Sequence, residues 1–178
     1  TAIGDNFTTS GNAVNYILSD SDKSPLGEIV VFAVPYSALE EIINEYADEL
    51  DGKIIVDITN PVDFSTFDDL LVPADSSAAA IIADKLPNST VVKAFNTSFS
   101  ETLATKKVSN KHQTTVLLAS DSQQAKEQIF RALEKSGLSL VDAGSLKRAR
   151  ELEALGFLQI SLAASEKISW NGGFGLFK

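Results

Sequence analysis

Apolar residues in this chain gather into short unbroken runs, each closed by a small, polar or proline-bearing turn. The central one is Lys53 to Pro61 (KIIVDITNP), opened by Asp51-Gly52 and closed by Thr59-Asn60-Pro61. A run this short reads as a strand buried on both faces, since a surface helix would show apolar residues every three or four positions instead. Ile29 to Pro35 (IVVFAVP) and Val91 to Thr97 (VVKAFNT) have the same form. Strands of this kind sit in the middle of parallel sheets, and open α/β sheets place ligands at the carboxyl ends of such strands. The three closing turns are therefore expected to form one rim of one site.

Helical periodicity fills the intervals. Pro35-Tyr36-Ser37 opens a helix running to about Leu50, with Leu39, Ile42, Ile43 and Tyr46 on one face and Gly52 at its end. Ser76 and Ser77 can cap a helix from Ala78 to Lys85, stopped by Leu86-Pro87-Asn88. Between these lies Pro61 to Asp75, long and irregular, a length that points to function. Phe99 to Ala104 reads as a short helix, Lys106 to Gln113 as a polar stretch, and Thr114 to Ala119 as a strand. Ser120-Asp121-Ser122 caps a helix from Gln123 to Lys135, Leu138 to Val141 is the final strand, and Ser145 opens a helical pattern reaching about Lys167. Its apolar side suits packing on the sheet or on a second subunit. Upstream, Thr1 to Ser10 resembles the tail of an amphipathic helix, and Ala13 to Leu18 reads as a strand ending in the polar turn from Ser19. Strands alternating with helices imply βαβ units, hence a doubly wound, mostly parallel α/β fold with a long C-terminal helix and a glycine-rich aromatic tail, Trp170 to Phe177.

Composition narrows the functional classes. At 178 residues, residues 1–178 are expected to form a single domain. The net charge of -9 disfavours nucleic acid, whose phosphates it would repel. No apolar run approaches the ~20 residues that cross a bilayer, and no basic-then-apolar signal opens the chain, so the default compartment is the cytoplasm, with no membrane partner expected. The absence of cysteine rules out disulfide and thiolate chemistry.

Five motifs in order, Ala33-Val34-Pro35, Asp57 to Pro61, Lys93 to Thr97, Asp142-Ala143-Gly144 and Arg150 to Glu153, resemble the coenzyme F420-dependent NADP oxidoreductase family, above all its short bacterial members. The resemblance covers nearly the whole chain. It implies a Rossmann-like dinucleotide-binding domain, NADP or NAD as cofactor, and F420 or a flavin as second substrate. The family opens with a strand and a glycine fingerprint that holds the pyrophosphate. Thr1-Ala2-Ile3-Gly4 matches just after the last fingerprint glycine, so the expectation is a sequence truncated ahead of Thr1, with genuine loss of the fingerprint as the alternative. Where NADP-preferring members have Ser-Arg, this chain has Ser19-Asp20. A carboxylate there repels a 2′-phosphate and accepts bonds from a free ribose diol, so weak discrimination or a lean towards NAD is expected.

The resemblance assigns candidate cofactor-binding roles to Ser19, Asp20, Ala33, Val34, Pro35, Tyr36, Asn60, Pro61, Ala94, Phe95, Asn96 and Thr97. Each has a plainer reading. Ala33 to Tyr36 either passes beneath the adenosine ribose and nicotinamide end or is a strand-to-helix link with proline in the first turn. Asn60-Pro61 either floors the nicotinamide or is a turn. Asn96-Thr97 either offers amide and hydroxyl to the nicotinamide carboxamide or the second substrate, or caps a helix. His112, the lone imidazole, reads as a solvated loop residue, and Asp68-Asp69 lacks a third ligand for a metal. Lys147, Arg148 and Arg150 either hold an acidic substrate tail or pair with Glu151 and Glu153. The aromatic tail suits a dimer interface or the cover of a flavin-like ring. No catalytic acid or base is expected, because hydride passed between two cofactors needs alignment and exclusion of water above all. The reading is a hydride-transferring NAD(P)-dependent oxidoreductase, a homodimer; the alternative is a non-catalytic dinucleotide sensor or dimerisation module.

Overall fold

The computed structural model describes residues 26–177. The expected helix Thr1–Ser10, the strand Ala13–Leu18 and the Ser19-Asp20 turn lie outside the described residues. In chain order the strands are β1 (Ile29–Phe32), β2 (Ile54–Asp57), β3 (Thr90–Ala94), β4 (Lys107–Val108), β5 (His112–Gln113), β6 (Thr115–Ala119) and β7 (Ser139–Gly144). The α-helices are α1 (Leu39–Glu45), α2 (Ala47–Leu50), α3 (Ala78–Lys85), α4 (Ser100–Thr105), α5 (Gln123–Leu133) and α6 (Ala149–Ala164). The main sheet has the order β1-β2-β3-β6-β7, and β4-β5 is a separate ribbon.

Helices cover both faces of the sheet at β2 and β3, as their unbroken apolar runs require; β1, expected to be buried on both faces, is the edge strand among the described residues and leaves Val31 49% exposed. On one face Phe32, Ile55 and Val91 meet Leu39 and Ile43 of α1, Leu50 of α2, Ala79 and Ile82 of α3 and Ala149 at the start of α6. On the other Val56, Val92, Ala94, Val116 and Leu118 meet Ala125 and Ile129 of α5. Alternate residues of β2 and β3 thus enter different cores, and neither strand has a polar side to spare.

The sheet is mostly parallel, with one reversal. β1, β2 and β3 run together, in the register Phe32 beside Asp57 beside Lys93, and β7 runs parallel to β6. β6 pairs with β3 antiparallel. The connection between them holds the six-residue α4, ~9 Å long, and the β4-β5 ribbon, with no helix long enough to cross back along a five-residue strand of ~16 Å. The chain therefore re-enters the sheet from the edge at which it left.

Other departures are local. The helix expected from Pro35 to Leu50 is a 3₁₀ turn at Tyr36–Ala38 followed by α1 and α2, divided at Tyr46 (φ -109°, ψ 20°), whose ring packs against the core. Lys106 to Gln113, read only as polar, contains the β4-β5 hairpin; Ser109 and Asn110 both have positive φ, the turn geometry that matches strand twist. The final strand extends to Gly144, and a register shift in its pairing falls at Leu118/Ala119 of β6. The pattern from Ser145 becomes a 3₁₀ turn at Leu146–Arg148 and then α6, which ends at Ala164.

Candidate functional site

Because β1, β2 and β3 are parallel and in register, the turns that follow them emerge at one edge of the sheet. The structure brings Ala33, Val34, Pro35 and Tyr36 to that edge beside Asn60 and Pro61, and these beside Ala94, Phe95, Asn96 and Thr97. Ser19 and Asp20 lie outside the described residues. Ala33 and Pro35 are exposed, Val34 and Tyr36 lean on the core, and Pro61 and Ala94 are buried. Pro35 precedes the 3₁₀ turn, so its connecting role is fulfilled whatever else it does. At the end of β3, Phe95 has φ 64° and the Asn96 amide donates to the Ala94 carbonyl at 2.8 Å. That is a three-residue turn of the strained kind, and such strain persists only where the surroundings enforce it.

The surroundings here are α6. Asn60 Nδ2 donates to the Asn96 carbonyl at 2.9 Å, and Asn96 Nδ2 donates both to Asn60 Oδ1 at 3.0 Å and to the Leu152 carbonyl at 2.8 Å. The two carbonyls can only accept, so both amides are fixed in orientation. Gly156 lets the helix approach: a Cβ there would lie 2.9 Å from Asn96 Nδ2 and 3.0 Å from the Asn96 carbonyl oxygen. With both its Nδ2 hydrogens committed, Asn96 has no donor left for a carboxamide. The polar groups still available on this turn are the partly exposed Thr97 hydroxyl and the backbone around Phe95. Asn96 Oδ1 is buried without a donor. One turn further along α6, Gln159 Nε2 donates to the Thr97 carbonyl at 3.3 Å while its Oε1 accepts from the Phe174 amide at 3.2 Å, tying the aromatic tail to the same corner.

Beneath the asparagines lies a charged cluster that the sequence reading passed over. Lys93 Nζ is 2.8 Å from Asp57 Oδ2, 2.9 Å from Glu153 Oε1 and 2.6 Å from the Thr59 carbonyl oxygen, with all three side chains removed from solvent. Glu153 accepts from the Ala78 and Ala79 amides at 2.8 and 3.2 Å, and Asp57 Oδ1 from the Thr59 amide at 2.9 Å. Burial raises the Glu153 pKa against the opposing pull of Lys93 and the Ala78 amide. Burial raises that of Tyr36 as well, and the nearby carboxylates Glu153 and Asp57 add to it. Ser77 Oγ takes the Ala80 amide, so the first three amides of α3 all have partners and none is left for a phosphate. A lysine inside an apolar strand run was the available signal. Its partner Glu153 was instead grouped with the basic cluster; in the structure Arg148 and Arg150 pair with Glu151 alone.

The remaining candidates stand apart. His112 is exposed on β5, edge-on to Phe177 at 5.2 Å. Asp68 and Asp69 are exposed, and among the described residues no group of three or more His, Cys, Asp or Glu is placed to hold a metal ion. No helix among the described residues is long and apolar enough to cross a membrane. Trp170 packs on Phe99 at 4.9 Å.

Three parallel strands whose turns meet at one edge, under helices on both faces, define a doubly wound α/β domain of the Rossmann kind. Comparison with known proteins finds likenesses of the same kind. The family model "NADP oxidoreductase coenzyme F420-dependent" matches residues 12–61. The chain is 29% identical over 159 residues to an F420-dependent NADP reductase of Methanocaldococcus jannaschii, covering 87% of this chain and 70% of that protein. A crystal structure provisionally assigned as an F420-dependent NADP reductase of Arthrobacter sp. FB24 superposes with a TM-score of 0.73 at 26% identity, covering 85% of this chain and 69% of the other. The metalloreductase STEAP3 of Rattus norvegicus is 33% identical over 149 residues, which are 84% of this chain and only 28% of that protein. The chain is thus similar, over most of its length, to reductases of the coenzyme F420-dependent NADP oxidoreductase family.

Proposed function

We propose that this protein is an NAD(P)-dependent oxidoreductase that passes hydride between a nicotinamide cofactor and a flat conjugated acceptor of the deazaflavin F420 or flavin type. The observation that carries the reading is the meeting of the β1, β2 and β3 turns at one edge of the sheet in a chain similar to these reductases. The residues fit the cofactor: Ala33 and Pro35 present small exposed surfaces over which a ribose can lie, Asn60, Pro61 and Asn96 form a floor locked by their own hydrogen bonds, and Thr97 offers a hydroxyl at its side. When bound, the nicotinamide supplies the hydride. The chain's part is to orient the rings and keep water out, which suits turns whose groups are amide, hydroxyl and backbone.

The same reading makes residues 1–178 one nucleotide-binding domain, working in the cytoplasm as a homodimer. Supporting the dimer, Leu158 on α6 and Trp170, Phe174, Leu176 and Phe177 of the tail expose large apolar side chains. Light scattering at twice the chain mass is the expected result, and a monomer removes that part.

The deciding experiment follows NADPH or NADH absorbance while F420, FAD or FMN is added. Oxidation with at least one acceptor is expected. Tight binding of either nucleotide without oxidation by any acceptor replaces the enzyme with a sensor, and no binding of either removes the nucleotide site. Nucleotide preference comes from the same titration, because Ser19-Asp20 favours a free ribose diol whereas the family's reductases are named for NADP.

A further inference from the structure

Two layers of contact join β2, β3 and α6, and in every element the second layer lies three residues after the first. The lower layer is Asp57, Lys93 and Glu153; the upper is Asn60, Asn96 and Gly156. The lower layer is closed. Each of the three ammonium hydrogens of Lys93 has its own oxygen, on Asp57, Glu153 and Thr59, and the carboxylates take amides from Thr59, Ala78 and Ala79. Thr59 is thereby held at both ends, its N–H by Asp57 and its C=O by Lys93. The next residue is Asn60, whose side chain meets Asn96. Apolar contacts are non-directional and would hold α6 against the strands without fixing how far it slides or turns. A three-way ammonium contact fixes both.

We infer that Lys93 is a positioning residue for the carboxyl-edge site: by clamping Thr59 and Glu153 it sets the height at which Asn60, Asn96 and Gly156 meet. The functional consequence rests on the nucleotide site proposed above, whereas the consequence for the asparagines stands on geometry alone.

The test is the combined variant Asp57→Asn, Lys93→Met, Glu153→Gln in the full chain. It removes the clamp without stranding a charge: the amide oxygen introduced at position 57 still accepts from Thr59, and the one introduced at position 153 accepts from Ala78 or Ala79 but not both. Two readouts are taken at matched temperature below the melting midpoint: hydrogen exchange of the Asn60 and Asn96 side-chain amides by NMR, and the NADPH dissociation constant. The amide protons are expected to exchange about tenfold faster or more, with the thermal midpoint within a few degrees of wild type, and NADPH to bind about tenfold more weakly. Asparagine amides exchanging as slowly as in wild type would overturn the inference. Faster exchange with NADPH bound equally by both proteins overturns the role of Lys93 in positioning the site, whereas faster exchange with NADPH bound by neither leaves the positioning of the asparagines standing and counts against the nucleotide site proposed above. Should the combined variant not fold, Glu153→Gln alone, which sets an amide donor against Lys93 or Ala78, is read by the same exchange measurement.

Discussion

The two halves of the sheet each pair a lysine with a carboxylate across elements, and they do so on opposite terms. In the half built from β1, β2 and β3 under α6, Lys93 has no exposed surface and faces two carboxylates that have at most 1%. In the half built from β6 and β7 under α5, Lys126 reaches Asp142 at 2.8 Å, and that carboxylate keeps 36% of its surface in water. Around Lys93 the neighbouring turns are joined by side-chain hydrogen bonds between strand ends and helix. Around Lys126 the bonds are confined to the end of β7, where its ammonium also donates to the Gly144 carbonyl at 3.3 Å and Asp142 accepts from the Gly144 amide at 2.8 Å. Among the described residues, ion pairs with both partners removed from water occur only in the half whose turns form the candidate site. The charge pair is closed to water in one place and half open in the other.

The comparison breaks most easily at Lys93. Lys93→Met leaves two carboxylates facing each other in a dry interior, and breaking a buried pair in this way costs ~3–5 kcal/mol, read as a loss in urea midpoint at constant slope. A loss no larger than that of a surface lysine would erase the distinction between the halves. Next comes Gly156→Ala. Alanine ordinarily favours a helix interior over glycine by ~1 kcal/mol, but here the added methyl would press on Asn60 Oδ1 and on the Asn96 amide and carbonyl. Overpacking of this kind costs ~1–3 kcal/mol, so the net effect is expected to be destabilising, with faster exchange of the asparagine amides. A stabilised Gly156→Ala protein would show that α6 is free to lift off the strand ends.

How much of this could be read beforehand differs by the kind of signal. The strands around Ile55 and Val92 were plain because residues buried on both faces leave an unbroken apolar run; β1 carries the same run although Val31 is 49% exposed, and the turns were plain because proline and asparagine punctuate. The doubly wound arrangement and the shared edge of the Pro35, Asn60 and Asn96 turns followed from that. Strand direction did not, because a two-residue period is the same in either direction; the reversal at β6 depends on how short α4 is. The β4-β5 hairpin was hidden because Ser109-Asn110 lacks the glycine that usually marks such turns. The charged layer was hidden for a different reason. Lys93 was visible inside VVKAF, but its partners lie far off in sequence, and Glu153 sits at helical spacing from Arg150, where a surface pair is the natural reading.

Acid titration sharpens the contrast at a smaller scale. With its folded pKa raised above the unfolded value, Glu153 binds its proton more readily in the native state, so its contribution to stability is fully present below the unfolded pKa and is lost as pH rises through the folded one. Wild type is therefore expected to gain stability relative to Glu153→Gln as pH falls through that window. An unchanged difference between the two proteins across the window would mean that Glu153 stays charged throughout, held by Lys93 and the start of α3.

The smallest effect is expected at Lys126, and its pH dependence has the opposite sign. Burial of Asp142 works to raise its pKa, but bonds from Lys126 and the Gly144 amide outweigh it and leave the group below its ordinary value. The stability it contributes is present above the unfolded pKa and disappears as pH falls through the folded one. Lys126→Met removes the pair while keeping an unbranched aliphatic side chain. Because Asp142 is open to water, the expected loss is ~1 kcal/mol or less near neutral pH, shrinking towards zero once acid has protonated the carboxylate. Thermal melts of wild type and Lys126→Met should converge on the acid side, in the direction opposite to the divergence expected of Glu153→Gln. A Lys126→Met loss as large as that of Lys93→Met would mean that exposure of the partner carboxylate is not what separates the two halves of the sheet.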